Sequence, residues 1–236
     1  MDRPIPESKA SPPDEIYGEH YVRPYAALYT DHPLWKPKLR YNVALLSRLL
    51  KPLGNWLDTC CGQGWHLAQF PGHQRMGIDK SAAQLEQARL HNPDVTFIQA
   101  DITEYEVPEG QRFDVVSNFW SAYSYLNDED AIRKLVEKLV RWTAPGGALY
   151  LELTVPELLE DFNDSDFAAE TGARVSLRSR GGASWDYRDA GGLHRMMSPP
   201  VEFFIDIIAP HFSRTNNATL VGAVRQFVAW GKRPDS

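Results

Sequence analysis

Between Asn55 and Leu153 the chain alternates short apolar runs with stretches of helical periodicity. Asn55–Thr59, Arg75–Asp79, Val95–Gln99, Phe113–Asn118 and Ala148–Leu153 have the length and composition of strands. The periodicity predicts helices over Trp65–Phe70, Ser81–His91 and Asp128–Trp142. Ser81 and Gln84 form a capping-box start that satisfies free backbone donors. In the third helix, Ala131, Ile132, Leu135, Val136, Leu139 and Val140 make an i, i+3/i+4 stripe. Parallel strands need crossover connections, so this alternation predicts a doubly wound parallel α/β sheet. Ligands in such sheets sit beyond the carboxyl ends of the strands.

The flanks have other rhythms. Tyr17, Tyr21, Tyr25 and Tyr29 recur every four residues, as on one helical face. Two compatible roles fit that face, packing on the body and covering a bound cofactor. Pro37–Leu50 also reads as a helix, with Tyr41, Ala44, Leu45, Arg48 and Leu49 along one side and Pro52 and Gly54 beyond its end. After Leu153 an acidic stretch (Glu157, Glu160, Asp161, Asp164, Asp166, Glu170) precedes three extended pieces, Arg174–Ser179, Ser184–Arg188 and Leu193–Met197. Arg180-Gly181-Gly182 and Ala190-Gly191-Gly192 supply their turns, which predicts an antiparallel insert covering substrate. Ser198-Pro199-Pro200 then opens a last helix, with proline at its first positions. Strands near Ser213–Leu220 and Val224–Lys232 finish the sheet. The expected divisions are a flexible tail over 1–16, aromatic lid helices and cofactor-binding core over 17–154, the insert over 155–200, and the last helix and strands over 201–236.

Composition narrows the function. The 236 residues carry a net charge of −6, so nothing is gained from counterion release on nucleic acid, and an RNA or DNA partner is disfavoured. No apolar run nears the roughly 18–20 residues that span a bilayer, and the first residues lack a signal-peptide core. A cytoplasmic protein, monomeric or homodimeric, is expected. Its two cysteines, Cys60 and Cys61, are adjacent and offer neither a disulfide framework nor zinc spacing. No pair of side chains at metal-ligand spacing is evident, so no metal is expected.

The chemistry concentrates after the strands. In Leu57-Asp58-Thr59-Cys60-Cys61-Gly62-Gln63-Gly64 an apolar strand ends in an acid and a tight turn opens a helix, a layout that suits a nucleotide-like ligand. Asp79 ends the second strand 21 residues after Asp58, where a carboxylate can accept both hydroxyls of a ribose. Asp101 follows the third strand, where it can accept from an adenine amine. Asp58 can help hold a cationic amine. The turn has no Lys or Arg, so it does not look built for a pyrophosphate.

Together these segments resemble the class I S-adenosylmethionine-dependent methyltransferases over roughly residues 40–154. The glycine-rich turn matches the family's first motif. Gly77-Ile78-Asp79 matches the ribose-binding strand end, and Ala100-Asp101-Ile102 the adenine segment. Phe113–Asn118 matches the fourth strand, and Ala144-Pro145-Gly146-Gly147 the turn before the fifth. The resemblance implies a seven-stranded, mostly parallel Rossmann-like sheet, with the antiparallel insert between the fifth strand and the last helix. It implies S-adenosyl-L-methionine as cofactor, contacted by Asp58, Cys60, Gly62, Asp79, Asp101, Ile102 and Asn118, with Tyr29 and Trp35 over its methionine end. Cys60 departs from the family's first glycine. Its Cβ predicts a turn that avoids a glycine-only conformation there, and both cysteines read as small residues beside the cofactor.

The resemblance further implies in-line methyl transfer to a small N or O acceptor. Trp120 and Tyr123 border the acceptor site, and Arg178 belongs to a basic strand face with Arg174 and Arg180 that can grip an anion. Tyr123 and His194 are candidate bases, with Tyr187 beside them, although His194 and Tyr187 read more simply as surface strand residues. Other readings remain open at this point: an RNA or protein methyltransferase, a binding module that retains the fold, and a cofactor-dependent cyclase.

Overall fold

The structure, a computed structural model, describes residues 16–178 and 183–234. Strands β1 (Asn55–Thr59), β2 (Gln74–Asp79), β3 (Thr96–Gln99), β4 (Phe113–Asn118) and β5 (Thr143–Thr154) run parallel. β9 (Phe212–Val221) and β10 (Val224–Lys232) close the sheet antiparallel. The order is β3-β2-β1-β4-β5-β10-β9. Strand order therefore reverses between β1 and β4, which puts a crevice beyond their carboxyl ends.

Five helices pack around this sheet: α2 (Lys36–Leu49), α3 (Trp65–Ala68), α4 (Ala82–His91), α5 (Glu129–Trp142) and α7 (Val201–Ile208). The apolar stripe of α5 forms as expected, with Ile132, Leu135, Val136 and Leu139 fully buried against β4, β5 and α7. Asp128 and Ser81 cap α5 and α4 through their side chains. Pro145-Gly146-Gly147 lies within β5, at an irregularity that lets Phe113 pair with Thr143 before the regular register begins at Ala148. At α7 the expectation needs one change. Pro200 is extended (φ −63°, ψ 160°) and precedes the first helical residue, Val201.

The side of α2 that turns inward is not the one its apolar periodicity suggests. Tyr41 and Ala44 are exposed, whereas Lys38, Leu39, Asn42 and Leu46 are buried. The cause is Glu152, fully buried on β5. Lys38 Nζ lies 2.8 Å from Glu152 Oε2, and Asn42 Nδ2 donates to Oε1 at 2.7 Å. Tyr150 OH donates to the same Oε1 at 3.2 Å, and the Trp120 backbone N–H to Oε2 at 2.7 Å. A charge costs several kcal/mol to bury alone, so the helix face follows its ion partner rather than its apolar residues.

The N-terminal segment and the insert form one body. The tyrosine segment is not a single α-helix. It runs as a 3-10 turn (Glu19–Tyr21), a short α1 (Val22–Tyr25) and a π-helical turn (Ala26–Thr30). Its rings still meet in series, Tyr17–Tyr21 at 5.5 Å, Tyr21–Tyr25 at 6.1 Å and Tyr25–Tyr29 at 5.1 Å between centroids. Ile16, expected at the end of the tail, is buried beneath them. Residues 1–15 lie outside the described residues.

The insert forms the expected antiparallel sheet from β6 (Arg174–Leu177), β7 (Ser184–Asp189) and β8 (Gly192–Met197). The acidic stretch before it folds into 3-10 turns and a short α6 (Asp166–Thr171). Tyr21, Leu28 and Trp35 from the N-terminal side pack with Phe167, Trp185 and Met196 from the insert. Asp189 fastens the two parts. It accepts from Tyr21 OH, from Tyr29 OH at 2.9 Å and from His194 Nε2 at 2.8 Å. Burial raises the Asp189 pKa, but the His194 bond and the other donors outweigh it and hold it below the usual carboxylate range.

Two predictions follow from this packing. Lys38→Met leaves an unpaired buried carboxylate and should cost about 3–5 kcal/mol in urea unfolding. Adding Glu152→Gln should recover part of that loss; equal midpoints for the single and double variants would contradict the pairing. The second concerns alkaline pH. Burial raises the pKa of Tyr17, Tyr21, Tyr25, Tyr29, Tyr125 and Tyr187 above the ordinary tyrosine value of about 10, so the folded state keeps them neutral where the unfolded chain ionises. Their contribution is intact below pH 10 and is lost as pH rises through the folded values, by roughly 1.4 kcal/mol per pH unit for each such tyrosine. The phenolate absorbance of these six should rise together with loss of circular dichroism, and all six ionising while the fold persists would contradict it.

Candidate active site

The Asp58–Gly64 turn lies at the point where strand order reverses. Gly62 has φ +52°, and a Cβ there would stand 3.2 Å from Tyr25 Oη, so a side chain at this position would be strained and would crowd the Tyr25 hydroxyl. Cys60 corrects the expectation made for it. It adopts φ +57°, the left-handed conformation that favours glycine, despite its Cβ. Burial, with Asp79 and Asp58 nearby, pushes both cysteine thiols up in pKa, which keeps them protonated and unsuited to nucleophilic work.

Asp79 braces this turn. Its Oδ2 accepts the Gly62 N–H at 2.7 Å and its Oδ1 the Ser81 N–H at 2.9 Å. Asp101 accepts from Thr103 N at 2.9 Å and Thr103 Oγ1 at 2.6 Å, and pairs with Lys80 at 3.1 Å. Partial burial works against its charge, but Thr103 and Lys80 hold its carboxyl below the usual range. Lys138, buried on α5, fixes the loop behind it through the carbonyls of Ile102, Thr103 and Tyr105.

A cavity of about 670 Å³ opens above these strand ends. Cys60, Gly62, Asp79, Asp101, Ile102, Tyr29, Trp35 and Trp120 all line it. Asp58 lies just beyond, lining a small adjoining pocket with Tyr25, His66 and Trp120. It accepts from Ser117 Oγ at 2.7 Å, and among the described residues no cation pairs with it. Burial therefore raises its pKa well above the usual carboxylate value.

The remaining sequence candidates sit elsewhere. Asn118 is fully buried, donating to Thr59 O and Oγ1 and accepting from Tyr123 N. Tyr123 is likewise in the core, its hydroxyl accepting from Thr154 N at 3.2 Å. Arg178 does not line the cavity. Its Nε pairs with Asp186 at 2.6 Å, and its guanidinium also donates to Asn127 Oδ1 and Met196 O. Arg174 donates to the carbonyls of Ala168 and Ala173, and Arg180 lies outside the described residues. His194 and Tyr187 are buried rather than on the surface, because the N-terminal segment covers that face of the insert.

Two features gave no sequence signal. Trp120 and Ser121, just after β4, both have left-handed backbones (φ 55° and 52°), costing about 1–2 kcal/mol each. They are held by the bond from Trp120 N–H to Glu152 and the 3.0 Å contact between Thr154 Oγ1 and Ser121 Oγ. The second feature is a hydrogen-bonded chain. His194 Nδ1 meets Tyr125 OH at 2.5 Å, and Tyr125 OH meets Tyr17 OH at 2.7 Å. Both tyrosines line the cavity. Among the described residues, no group of three or more His, Cys, Asp or Glu side chains is placed to hold a metal, and no helix is long and apolar enough to cross a membrane.

Residues 57–147 match the family model described as a methyltransferase domain. Among curated relatives, a dTDP-4-amino-2,3,4,6-tetradeoxy-D-glucose N,N-dimethyltransferase of Saccharopolyspora spinosa is 26% identical over 140 residues, covering 58% of this chain and 55% of its own length. A trans-aconitate 2-methyltransferase of Acidovorax ebreus is 30% identical over 186 residues, covering 76% and 65%. The chain thus spans between about half and two thirds of the length of these relatives. The solved structure of an S-adenosylmethionine-bound amino pentose methyltransferase from Micromonospora echinaspora superposes with a TM-score of 0.61 at 21% identity, covering 90% of this chain and 96% of that one. The match of residues 57–147 to a methyltransferase domain and the seven-stranded sheet built around them give the chain a Rossmann-like methyltransferase fold.

Proposed function

We propose that the protein transfers a methyl group from S-adenosyl-L-methionine to an N or O atom of a small molecule. The observation that carries this is the single cavity into which Asp79, Asp101 and the Cys60–Gly62 turn all open. Asp58 supplies the test of fit, because a buried carboxylate without a cation suits an ammonium group. Asp79 would accept from ribose hydroxyls, Asp101 from the adenine amine, and Asp58 would lie beside the methionine ammonium. When bound, this cofactor supplies a sulfonium-activated methyl group. The chain's own work is to orient the acceptor and exclude water, which the aromatic N-terminal segment and the insert do from above.

A proton leaving the acceptor has a path. With Asp189 ionised, the proton on His194 Nε2 points to it and Nδ1 is left to accept from Tyr125 OH. Tyr125 then accepts from Tyr17, so the Tyr17 hydroxyl oxygen is free to take a proton from the cavity.

Calorimetry with S-adenosylhomocysteine should show binding, weakened at least about thirtyfold by Asp79→Ala and less by the more exposed Asp101→Ala; two hydrogen bonds to a carboxylate set the first scale. No binding by the unaltered protein would refute the proposal. With the first acceptor that supports turnover, Tyr125→Phe should lower kcat about a hundredfold and shift its pH profile, with S-adenosylhomocysteine affinity unchanged. A change in affinity alone would assign the tyrosine to packing.

A further inference from the structure

The charges around the cavity are unevenly placed, and their placement bears on the acceptor. Resting on the methyl-transfer reading for its cofactor end only, we propose that the acceptor end takes an uncharged, flat aromatic molecule rather than a phosphorylated or polycarboxylate one. Lys80 is the one cationic side chain among the described residues lining the cavity, and it stands at the cofactor end, paired with Asp101. Three carboxylates, Asp79, Asp101 and Asp161, share that lining.

Cations do lie near the acceptor end, but each is turned away and matched by a carboxylate. Lys38 is fully buried beneath Trp120, 3.3 Å from its ring centroid, and pairs with Glu152. Arg178 pairs with Asp186. Diphosphates and polycarboxylates are ordinarily gripped by bidentate arginines, lysines or helix N-termini. The relatives' names specify a dTDP-linked sugar in one case and trans-aconitate in the other. The acceptor end here offers neither ligand a charged partner among the described residues.

What it offers is a continuous series of rings. Tyr29 meets Trp120 at 5.2 Å and Trp120 meets Trp35 at 5.3 Å. Trp35 meets Phe167 at 5.3 Å, Phe167 meets Phe162 at 6.0 Å, and Phe162 meets Tyr187 at 5.9 Å. Interplanar angles of 63° to 89° make these edge-to-face contacts, which leave ring faces directed to either side. The series runs from the carboxyl end of β4 to the insert, so an aromatic body lying along it could place its nucleophile near Trp120.

The test is equilibrium binding to the full chain saturated with S-adenosylhomocysteine, using naphthol, thymidine diphosphate and trans-aconitate as probes. Naphthol should bind at tens of micromolar, and the two anions at least tenfold more weakly. Phe162→Ala should weaken naphthol about tenfold, and Phe162→Leu, which keeps apolar bulk without a flat ring, should weaken it less, with thermal melting as the check on folding. Either anion binding as tightly as naphthol, or naphthol unaffected in both variants, would overturn the proposal. If S-adenosylhomocysteine itself fails to bind, the methyl-transfer reading falls, and the same three probes on the free protein decide the acceptor class.

Discussion

The cavity's geometry depends on Glu152. This carboxylate stands near the carboxyl end of β5 with no exposure, and four groups from three directions converge on it. Lys38 and Asn42 bring α2 against the sheet, Tyr150 comes from its own strand, and the Trp120 N–H ties down the loop after β4. Each donor lowers the cost of keeping the charge dry, and losing one leaves the others facing an under-compensated anion. The bond to Trp120 matters most for the site. It helps hold two successive residues in left-handed conformations that they would not keep alone, and so sets where the Trp120 ring stands in the cavity wall.

Asp189 does the corresponding work for the roof. The N-terminal segment and the insert are separated by more than a hundred residues, yet Tyr21 and Tyr29 from one and His194 from the other share this carboxylate. Their apolar faces close a hydrophobic cluster that includes Trp35, Phe167 and Trp185. Lid and cover, separate ideas at the level of sequence, are thus one packed unit. The same unit carries Tyr17 and His194, which meet through Tyr125 of the turn after β4, so on the proposed function the contacts that exclude water also orient a proton path.

The core strands and their terminal acids were legible because their signals are local. A strand of five residues ending in Asp58 or Asp79 carries its own periodicity and its own turn, and the sheet places those ends together whatever the rest does. The inward face of α2 was not legible, because Lys38 and Asn42 are buried by a partner more than a hundred positions away. Apolar periodicity assigns such residues to solvent. His194 was misplaced for the same reason: β8 taken alone has an outer face, and only the tertiary fold shows that the tyrosines cover it. Cys60 shows a different limit. A Cβ makes the left-handed region costly without forbidding it, and the Asp79–Gly62 bond and the surrounding strands hold the turn where the cost is met.

On the proposed function, the donor and acceptor ends of the cavity also follow different physical rules. The donor end is built from carboxylates fixed by backbone amides and small side chains, a pattern that a short stretch of sequence can encode. The acceptor end is a series of rings contributed by the N-terminal segment, the loop after β4 and the insert, and no two neighbours in that series are adjacent in sequence. Lys38 and Arg178 are held there as supports, each paired with a carboxylate away from the cavity. Cations committed to such pairs cannot also bind an anionic substrate without leaving a buried carboxylate unpaired, at a cost of several kcal/mol. The framework that keeps Trp120 and the roof in place is therefore the same framework that leaves the acceptor end uncharged.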